Sequence, residues 1–126
     1  MTGALQGVKV LEIGSYVTGP YAGMLLGDLG ADVTKIENKP YGDPFRGWGR
    51  TILNPTFCSL NRNKKSITLN LKTSEARDIF LALADDADVI IENLRTGSVD
   101  GPGIGYETVR ARNPRIIYCS ISGFGS

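Results

Sequence analysis

A chain of 126 residues, 41% hydrophobic and 21% charged with a net charge of +1, has the size and composition of one globular domain that buries about two thirds of its unfolded surface. It contains no histidine, which excludes Ser-His and Cys-His nucleophile pairs and His-ligated metal sites built from these residues alone. No apolar run approaches the roughly 20 residues of a membrane span, and Met1 to Gln6 lacks the basic and apolar regions of a signal peptide, so the chain reads as soluble and cytoplasmic.

Val8 to Ile13 (VKVLEI) reads as a short buried strand, and Gly14 to Pro20 as a turn with Pro20 at the start of a helix. Ala22, Leu25, Leu26 and Leu29 then recur at helical spacing, and Gly30 is a natural stop. Asp32 to Glu37 is a second strand, completing a βαβ unit that implies parallel pairing and a right-handed crossover. Asn38 to Asn61 is irregular and rich in Gly, Pro and Arg, and long for a loop in a compact domain, as functional or disordered loops are. Ser66 to Leu71 alternates as a strand. Thr73 or Ser74 caps a helix whose Ala76, Ile79, Phe80 and Leu83 share a face. Asp88 to Glu92 is a strand, Asn93 to Gly105 a glycine-rich loop, Tyr106 to Arg112 a short helix, and Arg115 to Ile121 a last strand before the turn Ser122 to Ser126. The alternation gives a single α/β domain over residues 1–126, a Rossmann-like, doubly wound and mostly parallel sheet with flanking helices. Its ligand belongs at the C-terminal ends of the strands.

The two cysteines, Cys58 and Cys119, show no metal-ligand spacing; Cys119 lies in an apolar run and reads as a buried thiol. The first βα turn, Gly14-Ser15-Tyr16-Val17-Thr18-Gly19-Pro20, is where such folds hold phosphate, yet it is neither G-x-G-x-x-G nor a Walker loop. Glu37 ends the second strand, where a dinucleotide-binding domain holds ribose, but without the glycine pattern that acid says little. The charge is unevenly spread. Pro44 to Ser74 has no acid and six basic residues, Arg46, Arg50, Arg62, Lys64, Lys65 and Lys72. A +6 block suits a phosphate-rich partner; a solvated basic face is the plainer reading.

Several segments, in order, resemble family III CoA-transferases: Leu5-Gln6-Gly7-Val8-Lys9-Val10-Leu11-Glu12, Gly19-Pro20, Leu29-Gly30-Ala31-Asp32-Val33, Lys35-Ile36-Glu37, and Gly42-Asp43 with Arg46. Asn61 to Lys72 (NRNKKSITLNLK), Asp88 to Arg95 (DVIIENLR) and Asn113 to Gly125 continue the likeness to the end of the chain. The resemblance implies an enzyme that moves CoA between an acyl-CoA thioester and a free carboxylic acid. Other implied readings are a racemase acting at the α-carbon of an acyl-CoA, and a non-catalytic CoA- or nucleotide-binding module. Glu92-Asn93-Leu94-Arg95 favours the transferase over the racemase.

By the same resemblance, acyl-CoA is a substrate, no cofactor is held tightly, neither nucleic acid nor membrane is a partner, and full-length relatives form interlocked homodimers. Lys72 and Leu69 are placed near the adenine and phosphates, Asn93 and Leu94 near pantetheine and thioester, with Arg95 in the same motif and Val17 lining the thioester region. Leu69 and Leu94 also read as core, the former preferentially, and Lys64 and Lys65 as phosphate ligands or surface charges alike. Asn38 stands where the family often has Arg, leaving the adjacent Lys39 as a single-point substitute for a bidentate guanidinium. Gly101 stands near another such Arg. The family's nucleophilic Asp, which carries the acyl group covalently, is implied to lie past Ser122-Gly123-Phe124-Gly125, so no catalytic residue is assigned.

Overall fold

The computed structural model describes residues 3–49 and 54–125, so Arg50 of the basic block lies outside the described residues. Strand β1 (Lys9–Glu12) leads through helix α1 (Thr18–Asp28) to β2 (Asp32–Glu37). A 3-10 turn (Pro44–Gly47) and helix α2 (Pro55–Leu60) follow, then β3 (Lys64–Thr68), α3 (Ser74–Asp85), β4 (Val89–Glu92), α4 (Tyr106–Arg112) and β5 (Ile117–Ser120). All five strands are parallel, in the order β3-β2-β1-β4-β5. The chain runs outward from β1 through β2 to β3, then returns to lay β4 on the other side of β1. The switch point therefore falls between β1 and β4, where doubly wound folds open a crevice.

Burial follows position in the sheet. Val10 and Val33 face α1 with Ala31 and Ile91, while Leu11, Ile13, Ile36 and Ile90 meet Phe80, Ala84 and Val109 of α3 and α4 on the other face. The edge strands β3 and β5 are largely exposed. That corrects the expectation for Cys119, which is exposed: its apolar run lies on an edge strand whose outer parts no helix covers. The described residues of the 38–61 segment form a 3-10 turn and a helix. Asn54 caps α2 by accepting from the N–H groups of Thr56 and Phe57, and Pro55 opens the helix.

Helix α1 lies very close to the sheet because its inner positions are glycine. A Cβ on Gly19 would stand 2.9 Å from Gly14 Cα, and one on Gly23 would collide with Glu12 Oε2. These glycines serve close approach, not a left-handed backbone. No described helix is long and apolar enough to cross a membrane.

Candidate functional site

The loops after β1, β2, β3 and β4 enclose a cleft of about 650 Å³ at the C-terminal ends of those strands. Ile13, Gly14 and Ser15 form one wall, Glu37 to Pro44 a second, Leu71 and Lys72 a third, and Leu94, Ser98, Pro102 and Ile104 the fourth. The surface is mostly apolar, with Lys39 and Lys72 as its two cationic members. Both are exposed, and neither forms an ion pair among the described residues. An apolar cleft with two free ammonium groups can take a flat or aliphatic body bearing anionic groups.

The other cations of the basic block are committed internally. Lys64 Nζ lies 2.6 Å from Glu12 Oε2 and donates to Pro20 O at 2.7 Å and to Asn61 Oδ1 at 3.1 Å. Lys35 Nζ meets Glu12 Oε1 at 2.7 Å, Gly14 O at 2.7 Å and Asp43 Oδ2 at 3.0 Å. Each ammonium donates to two acceptors and stands at ion-pair distance from a third oxygen, Glu12 Oε2 for Lys64 and Asp43 Oδ2 for Lys35, neither of which accepts a hydrogen bond. The two lysines and two acids form a neutral cluster whose side chains are at most 2% exposed. Desolvation pulls the Lys64 pKa below its ordinary value, against the attraction of Glu12. Lys65 pairs with Asp32 and Arg62 with Asp28, both at the surface. Arg46, Arg62, Lys64 and Lys65 of the acid-free stretch are thus each paired with an acid from outside it, and Lys64, one of the two left open between phosphate ligand and surface charge, is neither free nor at the surface.

Arg46 pairs with Glu37. Glu37 Oε2 accepts from Arg46 Nε at 2.7 Å and from the Asp43 N–H at 2.8 Å, while Oε1 accepts from Arg46 Nη2 and Ser66 Oγ, both at 2.6 Å. Burial favours the neutral acid, but these bonds outweigh it and bring the Glu37 pKa down to about 2. Both oxygens are thus occupied, which removes Glu37 as a ribose ligand. Its folded pKa is depressed, so its stabilisation is complete above its ordinary value of 4.5 and fades as pH falls toward 2. Glu37→Gln is expected to cost about 2 kcal/mol at neutral pH. It should also flatten the loss of stability below pH 4.5, measured by urea unfolding across pH.

The first turn is tied to the switch point by Asn93. Its Oδ1 accepts from the Ser15 N–H at 2.8 Å, and its Nδ2 donates to Ser15 O at 2.9 Å and Thr18 Oγ1 at 2.8 Å. Asn93 therefore braces the cleft wall and does not itself line the cleft. Of the other residues singled out from sequence, Lys39, Lys72 and Leu94 line the cleft. Leu69 and Leu94 pack on the hydrophobic core, Val17 is exposed at the end of the turn, and Arg95 is exposed outside the cleft. Gly101 is exposed and does not line the cleft, whereas Asn38 does. Sequence reasoning missed the Glu12–Lys35–Lys64–Asp43 cluster; a charged Glu12 inside the apolar strand VLEI was the available signal, because such an acid demands a partner.

Residues 5–126 match CoA-transferase family III. The chain belongs to that family. A succinyl-CoA:mesaconate CoA-transferase of Haloarcula marismortui is 45% identical over 98% of the chain, and a mouse succinyl-CoA:glutarate CoA-transferase is 44% identical over 96%. A CaiB/BaiF family protein from Brucella suis superposes with a TM-score of 0.93 at 42% identity over 99% of the chain. The chain spans only about a third of these family members, 33%, 28% and 35% of their respective lengths. Family III is an enzyme family, and the doubly wound α/β fold expected from the sequence is shared with the matching part of the Brucella protein.

Proposed function

We propose that these residues hold the coenzyme A part of an acyl-CoA while CoA passes between the acyl group and a free carboxylic acid. The observation carrying this reading is the apolar cleft at the switch point, whose cations Lys39 and Lys72 stay free while the neighbouring basic side chains are paired. CoA has a long, partly apolar body with a diphosphate and a 3′-phosphate at one end, which suits such a cleft. Lys39 and Lys72 hold the phosphates; Leu94 and the Gly14–Val17 turn, braced by Asn93, lie along pantetheine and thioester. Leu69 lies with Lys72 toward the adenine and phosphates, and Arg95 meets the ligand from the rim.

The nucleophilic carboxylate is assigned outside residues 1–126, because the two acids lining the cleft, Glu37 and Asp43, are both engaged in internal pairs. The transferase names of the relatives favour transfer over racemisation. Succinyl-CoA is the donor in both names, and a dicarboxylate acceptor is proposed by analogy. A homodimer is proposed as well, supported by the exposed apolar side chains Tyr21, Leu25 and Leu29, spaced by four along and just past α1.

The test is calorimetric titration of the protein with CoA and with adenosine 3′,5′-bisphosphate. Saturable binding of CoA, weakened by added salt, is expected. CoA binding no tighter than that of inorganic phosphate would remove the proposal.

A further inference from the structure

Tyr16 has φ 62°, in the left-handed region where a bulky residue is uncommon unless its surroundings hold it. Three contacts do so. Its N–H donates to Asp43 Oδ1 at 3.2 Å, and its ring lies against Phe45 and Trp48, with centroids 6.1 Å and 6.2 Å away. Asp43 is itself held by two hydrogen bonds and an ion pair. Its Oδ1 also accepts from the Phe45 N–H at 2.9 Å, its own N–H donates to Glu37 Oε2 at 2.8 Å, and its Oδ2 faces Lys35 Nζ at 3.0 Å. Lys35 also takes Gly14 O at 2.7 Å. One buried acid–ammonium pair thus grips the first turn at both Gly14 and Tyr16. Asp43, Gly14 and Ser15 all line the cleft.

We propose that Asp43 is a positioning residue, which holds the Gly14–Val17 turn in its left-handed shape so that the turn's backbone is set against the reacting end of the bound thioester. The proposal rests on the acyl-CoA reading of the cleft. The Lys35 ion pair and the Phe45 N–H hold the Asp43 side chain in place, and the Tyr16 ring against Phe45 stops the peptide from relaxing. A turn displaced by about 1 Å would leave the phosphate end bound while slowing transfer, because alignment of the reacting atoms contributes mainly to rate.

The experiment measures CoA affinity and the hydrogen-exchange protection of the Tyr16 amide, and the transfer rate constant with the nucleophile-bearing region present, in the parent protein and in Asp43→Ala and Asp43→Asn. Asp43→Ala is expected to slow transfer at least about tenfold, to change CoA affinity less than about threefold, and to lose Tyr16 protection. Asp43→Asn keeps an acceptor oxygen and is expected to stay within about threefold of the parent rate with Tyr16 still protected. A parent-like rate in Asp43→Ala overturns the proposal. So does an Asp43→Asn rate or amide as impaired as in Asp43→Ala, or, where the alanine variant does not fold, an Asp43→Asn protein without Tyr16 protection. Failure of the parent protein to bind acyl-CoA would instead remove the functional reading, and the amide comparison would still judge the clamp.

Discussion

Replacing Lys64 by methionine is expected to destabilise the protein by about 3–5 kcal/mol, because it leaves the Glu12 carboxylate half-paired in a fully buried site. Glu12 is fully buried between Lys35 and Lys64, and Lys64 also satisfies Pro20 O at the start of α1. The neighbouring substitution Lys65→Met is expected to cost less than about 1 kcal/mol, since the Lys65–Asp32 pair is exposed and solvent-screened. Urea denaturation of the two variants makes the comparison. Similar losses in both would show that the buried cluster is not the source of the difference. Methionine nearly preserves the volume of lysine, so the lost charge and hydrogen bonds, not a cavity, decide the result. The double variant Glu12→Gln with Lys64→Met should recover part of the loss, since removing both charges is less costly than removing one.

The second large effect concerns ligand binding. Lys39→Ala and Lys72→Ala are each expected to weaken CoA binding about tenfold, as the loss of one charge-assisted contact to phosphate would. The two residues sit on different loops, so the double variant should lose about a hundredfold. Arg62→Ala and Lys65→Ala serve as controls, because their charges are already taken by Asp28 and Asp32. The four affinities, measured by calorimetry at low and moderate salt, separate a phosphate grip from a general basic surface. Equal losses at all four positions would mean that net charge, and not the cleft, draws the ligand. A shallower salt dependence is expected for the double variant, since fewer phosphate charges are then neutralised by protein.

The sequence was most legible where local signals agreed with tertiary demands. Asp32–Glu37 and Tyr106–Arg112 have the extents read from pattern, and Thr73 caps α3 through its hydroxyl, which accepts from the Ala76 N–H. Strand β3 begins at Lys64, two residues earlier than the alternating run suggests. On an edge strand neither face is fully covered, so alternation is a poor guide to where pairing starts. Helix α2 was hidden because six residues are too few for an apolar stripe, although Asn54-Pro55 was a legible cap.

The site was legible in part. Lys39, Lys72 and Leu94 do line one cleft, and the departure to Asn38 leaves Lys39 in place there. The assignment of charge was not legible. A run of basic residues without acids looks unpaired along the chain, yet Lys64 finds Glu12 and Arg62 finds Asp28 through the sheet and α1. Only the parallel order of β1, β2 and β3 reveals those pairings.

The glycine spacing of α1 has a consequence for how the chain folds. Gly19, Gly23 and Gly27 each lower intrinsic helicity by about 1 kcal/mol relative to alanine, so this segment has little reason to be helical before the sheet exists. Its helicity is borrowed from docking, and docking in turn seals Glu12 and Lys64 away from water. Helix α1 and the ion cluster should therefore form together and late, and open together first. In native-state hydrogen exchange, the amides of α1 are expected to exchange by a lower-energy opening than those of β1 and β4. The residues that brace the cleft wall would then belong to the part of the fold that is assembled last.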